Sequence, residues 1–117
     1  MLNVADMVKR LKAHPDFHKA GMILCHNGVV RDSSHDGKPV RELTVQFDRE
    51  QLNSIVAEIK KRPGIIEVLV DVQEGTFHPG DDIMLIGVAG DFRENVFPAL
   101  MDMINMIKEN VGRKTEV

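Results

Sequence analysis

Between a Pro79-Gly80 turn and a glycine at position 90 runs an unbroken apolar segment, Ile83 to Ala89. A run this short, bounded by glycines, reads as a buried strand. The residues before it, His78-Pro-Gly-Asp81, carry turn chemistry, because proline presets φ and glycine accepts φ > 0. Past Gly90, the pattern restarts as a helix near Asp91, which places Arg93 in the first helical turn. Backbone N–H groups there have no intrahelical partner and the dipole end is positive. A strand–loop–helix junction of this kind either holds an anion or is a plain connection with a solvated arginine, and the local sequence leaves both open.

The remaining elements follow from periodicity and punctuation. A first helix is expected over Val4–Ala13, capped by Asn3, with Val4, Met7, Val8 and Leu11 as its buried stripe and Pro15 as its stop. A first strand spans about Ala20–Val30. Its nearly continuous apolar core, Met22 to Cys25, suggests cover on both faces, and Gly28 suggests a bulge or a close backbone approach. The polar loop Asp32–Gly37 is expected to be mobile. A second strand, about Val40–Phe47, would pair with the first as a long-looped hairpin. A second helix starts at Asp48 with a capping box to Gln51, buries Leu52, Ile55, Val56 and Ile59, and stops at Pro63-Gly64. A third strand, Ile65 to about Val72, would lie parallel to its partner through a right-handed crossover. The last helix, about Phe92–Asn110, has a capping-box pattern at Asp91 and Glu94, an awkward Pro98, and an end at Gly112. A flexible basic tail follows, from Arg113 to Val117. The order α-β-β-α-β-β-α defines an α+β fold, a mixed sheet with packed helices.

At 117 residues the chain is expected to form a single domain over 1–117. Its net charge of −3, from 15 basic and 18 acidic residues, argues against a general nucleic-acid binder. No apolar run approaches the roughly 18 residues that span a bilayer, and no signal core opens the chain. The lone Cys25 reads as a small core residue of a cytoplasmic protein. His14 and His18 are four apart, but Pro15 between them disfavours the helix that a metal site would need.

The candidates for carrying chemistry are cations. Arg31, Arg93, Lys108 and Lys114 fall at element ends or in the tail. If the ends of the first strand and of the Ile83–Ala89 strand meet, Arg31 and Arg93 could converge, with Lys108 joining them. Such a cluster suits a phosphate or carboxylate, which arginine matches with a bidentate fork. Taken singly, each reads as a surface charge, and it is the convergence that would make a site.

The same residues resemble the large, catalytic subunit of molybdopterin synthase from about Ala20 to Glu116. The matching pieces are Gly28-Val-Val-Arg31, Val40-Arg-Glu-Leu-Thr44, Ala57-Glu-Ile59, Gly75-Thr76, Pro79-Gly-Asp81, Gly87-Val88 ahead of Arg93-x-x-x-Phe97, and Ile107-Lys108. The resemblance implies an α/β hammerhead fold, a homodimer, and no resident metal or cofactor. It implies a partner, a small ubiquitin-like sulfur carrier with a Gly-Gly tail, whose thiocarboxylate enters a pocket and gives its sulfur to cyclic pyranopterin monophosphate, an anionic pterin. By position it assigns Arg31 and Arg93 to substrate binding and Lys108 and Lys114 to catalysis, Lys114 only with one residue deleted from the tail; Arg113, next to Lys114, is taken as a further substrate-binding candidate. The chain departs from the family where relatives usually carry Pro-x-Trp-Lys (here Val111-Gly-Arg-Lys114), an acidic-aromatic segment (here Gln46-Phe-Asp48) and His before the helix arginine (here Phe92). An alternative reading is therefore a relative that binds the carrier protein or an anionic small molecule without turnover.

Overall fold

The apolar run becomes the middle strand of a three-stranded sheet. In the computed structural model, which describes the backbone of residues 2–110 and 112–116 and the side chains of residues 2–109, the elements are α1 (Val4–Lys12), a 3-10 turn (Phe17–Lys19), β1 (Met22–Val29), β2 (Leu43–Phe47), α2 (Arg49–Lys60), β3 (Ile65–Val72), β4 (Gly75–Phe77), β5 (Asp82–Gly90), α3 (Arg93–Asn110) and β6 (Gly112–Glu116). The first sheet has the order β1-β5-β3 and the second β4-β2-β6. Every described strand pair is antiparallel.

The α+β class is as expected, but three long-range expectations are corrected. β1 pairs with β5, not with β2. β3 also pairs with β5, antiparallel, so α2 connects strands of two different sheets and no parallel crossover forms. The basic tail is a strand, its backbone laid against β2 with Phe47 opposite Gly112 and Leu43 opposite Glu116.

Helices on both faces explain why β5 is apolar throughout. Leu85 and Ala89 meet Met7 and Leu11 of α1 on one face. Met84, Ile86 and Val88 join the main core with Ile55 and Ile59 of α2 and Val96, Met103 and Ile107 of α3 on the other. Residues 83–90 are all buried, as a central strand between two helical layers requires. Gly87 lies directly under α1, since a Cβ there would lie 2.8 Å from both Leu11 Cδ1 and Met7 Sδ. β2 is covered on one face only, so it alternates: Leu43, Val45 and Phe47 are buried, while Gln46 is exposed.

Local signals hold closely. Asn3 Oδ1 accepts the Asp6 N–H at 2.9 Å, and Asp48 Oδ1 accepts the Gln51 N–H at 3.1 Å. In the turn before β5, Asp81 N–H donates to His78 O at 2.9 Å and Gly80 sits at φ 94°, the left-handed position that proline followed by glycine favours. The start of α3 differs from the expected capping box. Asp91 Oδ1 accepts the Phe92 N–H at 2.6 Å and the Asn95 side-chain amide at 2.9 Å, so Asn95 rather than Glu94 engages it. The Asn95 hydrogen bond is the main cause holding the Asp91 carboxyl below the usual range. α3 runs through Pro98, where the ring removes one backbone donor.

Candidate functional site

β1 and β5 fall out of register at Gly28 and Val29, where the pairing passes over Ile83. The ladder resumes for one residue, with Val30 N–H donating to Asp81 O and Gly80 N–H to Val30 O, both at 2.9 Å. Beyond Val30 the chain leaves the sheet at Arg31. The segment expected to be mobile folds back on itself: Ser34 N–H donates to Lys38 O at 2.7 Å, Gly37 N–H to Ser34 O at 2.9 Å, and Val40 N–H to Asp32 O at 2.8 Å. Ser34 Oγ also bonds the Asp36 carboxylate and accepts the Lys38 N–H.

This fold-back builds one wall of a cavity of about 210 Å³. Its apolar floor is Val30, Val40, Leu43 and Ile83. Its rim is polar, with Arg31, Ser33, Ser34 and His35 from the loop and Lys108 from the last turn of α3. The Arg31 guanidinium reaches Ser33 Oγ at 3.4 Å, a long and weak contact. Neither Arg31 nor Lys108 forms an ion pair with a described residue. An apolar floor under unneutralised cations can take an anion that carries an apolar or planar body.

Of the residues singled out in the sequence, Arg31 and Lys108 meet here. Arg93 does not. It lines a separate hollow with Gly21, Met22 and Phe92, and its Nε lies 3.4 Å from Glu94 Oε1 in an exposed pair. The expected convergence of Arg31 and Arg93 within one chain is thus corrected. Because β1 and β5 are antiparallel, the end of β5 lies beside the start of β1, not its end. Arg113 and Lys114 have side chains outside the described residues. Their backbones pair with Gln46 and Val45, which brings the tail alongside the Leu43 wall of the cavity.

Ser33, Ser34 and His35 were not legible as site residues, since a polar loop gives no sign of which way it folds. Neither was His26, one titratable side chain in an apolar strand. Burial, and then the nearby Lys108 charge, lowers its pKa below the ordinary histidine value. Burial also pushes the Cys25 thiol up, which disfavours the thiolate and a nucleophilic role. Among the described residues, no three His, Cys, Asp or Glu side chains gather as a metal site, and no helix is long and apolar enough to cross a membrane.

A two-sheet α+β domain with helices on both faces of one sheet, and an open cavity rimmed by arginine and lysine, is the class defined by these features. More specifically, the chain belongs to the MoaE protein family, whose model matches residues 1–110. It is 31% identical to a molybdopterin synthase catalytic subunit of Thermoplasma volcanium, over 94% of this chain and 80% of that one. It is 30% identical to a probable molybdopterin synthase of Haloferax volcanii over 94% of this chain. The match spans 44% of that relative's length. Among solved structures, molybdopterin synthase from Staphylococcus aureus superposes with a TM-score of 0.79 at 23% identity, covering 99% of this chain and 85% of that one. A chain from a complex of subunits 1 and 2 of the molybdopterin-converting factor of Helicobacter pylori gives 0.73 at 17% identity, covering 98% and 78%. These two likenesses concern the fold.

Proposed function

We propose that this chain is the large subunit of a molybdopterin synthase, acting in molybdenum cofactor biosynthesis as a single domain over residues 1–117. In this reading it transfers sulfur from the thiocarboxylated tail of a small ubiquitin-like carrier to cyclic pyranopterin monophosphate and so forms the molybdopterin dithiolene. The observation that carries the reading is that Arg31 and Lys108, far apart in a chain of the MoaE family, line one cavity. Arg31 holds the substrate's anionic group through its guanidinium fork. Lys108 activates the thiocarboxylate, whose sulfur bonds to the pterin, or stabilises the negative charge that develops when water attacks the acyl carbon of the resulting thioester. That attack breaks the acyl C–S bond, leaves the sulfur on the pterin and releases the carrier tail as a carboxylate. Lys114 and Arg113 supply further cations from the strand along β2. The reaction calls for no resident metal.

Arg93 belongs to this machinery only through a second copy of the chain, because its own cavity lies at the other end of β1. A homodimer that sets the start of one α3 beside the Arg31 cavity of its mate meets that requirement. Phe97 and Met101, 53% and 62% exposed one helical turn apart on α3, are apolar surface suited to such an interface.

The test is dithiolene formation from purified chain, thiocarboxylated carrier and the pyranopterin. Product that disappears with Lys108→Ala supports the reading, and no product from the unaltered chain overturns it. A second reading, a carrier-binding relative without turnover, is favoured by the sequence departures at Phe92, at Gln46-Phe-Asp48 and at Val111-Gly-Arg-Lys114. Carrier binding by calorimetry with no product would establish it.

A further inference from the structure

His26 lies on the β1 face that turns toward α3. Side chains alternate along a strand, and Met22, Leu24 and Val30, at even spacing from His26, all pack into the core under α3. α3 starts beside Met22, where Arg93 and Met22 share a hollow, and ends beside Val29, where Lys108 and Val29 share the cavity. The distances agree: Arg93 to Lys108 rises about 22 Å at ~1.5 Å per residue, and Met22 to Val29 extends about 23 Å at ~3.3 Å per residue. Helical side chains lean toward the helix N-terminus, which is the direction that leads from the cavity rim back along β1 to His26.

We propose that His26 is a positioning residue of this cavity, acting through Lys108 to couple the binding of an anion to the uptake of one proton. It rests on the anion-binding part of the functional reading but not on sulfur transfer. With the cavity open to water, the Lys108 ammonium disfavours a second positive charge on the imidazole of His26, three residues along β1 from the cavity wall at Val29. An anion settling between Arg31 and Lys108 offsets that field and favours the imidazolium, which then adds a third positive charge behind the anion.

The neighbours of His26 support this pairing. Its register partner on β5 is Ile86, and α1 packs on the opposite face of the sheet. From α3 come Lys108, an exposed Glu109 beside it, and Asp102, which is engaged by Arg62 at 2.7 Å. The loop after β1 brings Arg31 and His35. Of these, Lys108 is the one that shares the cavity rim with Arg31, and after burial its charge is the second cause lowering the His26 pKa.

The probe is sulfate, whose charge is fixed over the relevant range. The His26 imidazole signal, assigned with His26→Gln, is followed by NMR from about pH 5 to 8 with and without sulfate, and sulfate binding is measured by calorimetry. Sulfate is expected to raise the His26 midpoint by about one unit. By reciprocity, sulfate then binds about tenfold tighter when His26 is protonated, a gain that His26→Gln removes. Lys108→Gln is expected to raise the midpoint without sulfate. Sulfate that binds without moving the midpoint overturns the coupling and leaves the sulfur-transfer reading standing. A midpoint indifferent to Lys108→Gln does the same. Failure of sulfate to bind at all removes both the coupling and the anion cavity beneath it.

Discussion

Arg31 and Arg93 stand at opposite ends of one antiparallel strand pair. The register runs from Met22 opposite Gly90 to Val29 opposite Asp82, so one arginine follows the end of β1 and the other follows the end of β5. If both serve a single anion, a second copy must supply Arg93. Subunit mixing tests this. In that arrangement Arg31→Ala and Arg93→Ala, each paired with itself, are expected to lose nearly all activity. Mixed and re-associated, they form hybrid dimers in which one site carries both defects and the other none. Statistical pairing should then restore about a quarter of the unaltered activity. If the mixture stays inactive although hybrid dimers form, Arg93 does not act across an interface.

The cavity itself makes a simpler demand. Arg31 and Lys108 are exposed, so replacing them removes charge without opening the core. Arg31→Ala and Lys108→Ala should lower kcat/KM for dithiolene formation by about 100-fold or more, in line with the loss of a charge-assisted anchor or of one stabilising donor. Thermal midpoints should stay close to that of the unaltered chain. Arg31→Lys should recover only part of the loss, because an ammonium cannot reproduce a bidentate fork. Kinetics alongside thermal melts of the three variants separate a site effect from a folding effect.

What the sequence made legible was local. The Asn3 and Asp48 caps, the Pro79-Gly80 turn, the Gly28 irregularity and the full burial of Ile83–Ala89 each depend on residues within a turn of one another. Pairing was not legible, because β1 and β3 are both apolar enough to flank any strand, and nothing in them names β5. β6 was missed for a different reason. Gly112-Arg-Lys-Thr-Glu116 has no apolar alternation, and its strand form comes from backbone pairing with β2. The candidate cavity divides the same way. That Arg31 and Lys108 could share a cavity was suggested by their places at element ends and by resemblance to a family, whereas Ser33, Ser34 and His35 depended on how their loop folds, and His26 on what lies above its strand.

One acidic side chain ties the second sheet to α2. Glu74 Oε1 accepts from Arg49 Nη2 at 2.8 Å and Nε at 3.2 Å, while Oε2 accepts the Phe47 N–H at 3.1 Å. The Arg49 bonds first, then the Phe47 N–H, hold the Glu74 carboxyl below its ordinary value of 4.5. A carboxyl depressed in the folded state favours folding above its unfolded value, and that contribution fades as pH falls through the lowered folded value. Glu74→Gln should therefore lower the urea midpoint at neutral pH, with the gap from the unaltered chain closing as the pH drops below about 4.5. Urea titrations across that range check it. A gap that persists undiminished into acid would assign the loss to packing rather than to the ionised carboxylate.

Gly87 is the position where α1 and the central strand have no room for a side chain. An added Cβ would meet Leu11 Cδ1 and Met7 Sδ at 2.8 Å, and both of those residues are fully buried. Gly87→Ala should cost about 1–3 kcal/mol through overpacking, and Leu11→Ala about 2–5 kcal/mol through the cavity it leaves. The two errors are opposite in sign of volume and adjacent in space, so the double variant should lose less than the sum of the singles, by about 0.5–3 kcal/mol. Urea unfolding of the four chains closes the cycle. Strict additivity would mean that α1 shifts away as a rigid unit when Gly87 is enlarged, in which case Met7→Ala should fail to rescue Gly87→Ala as well.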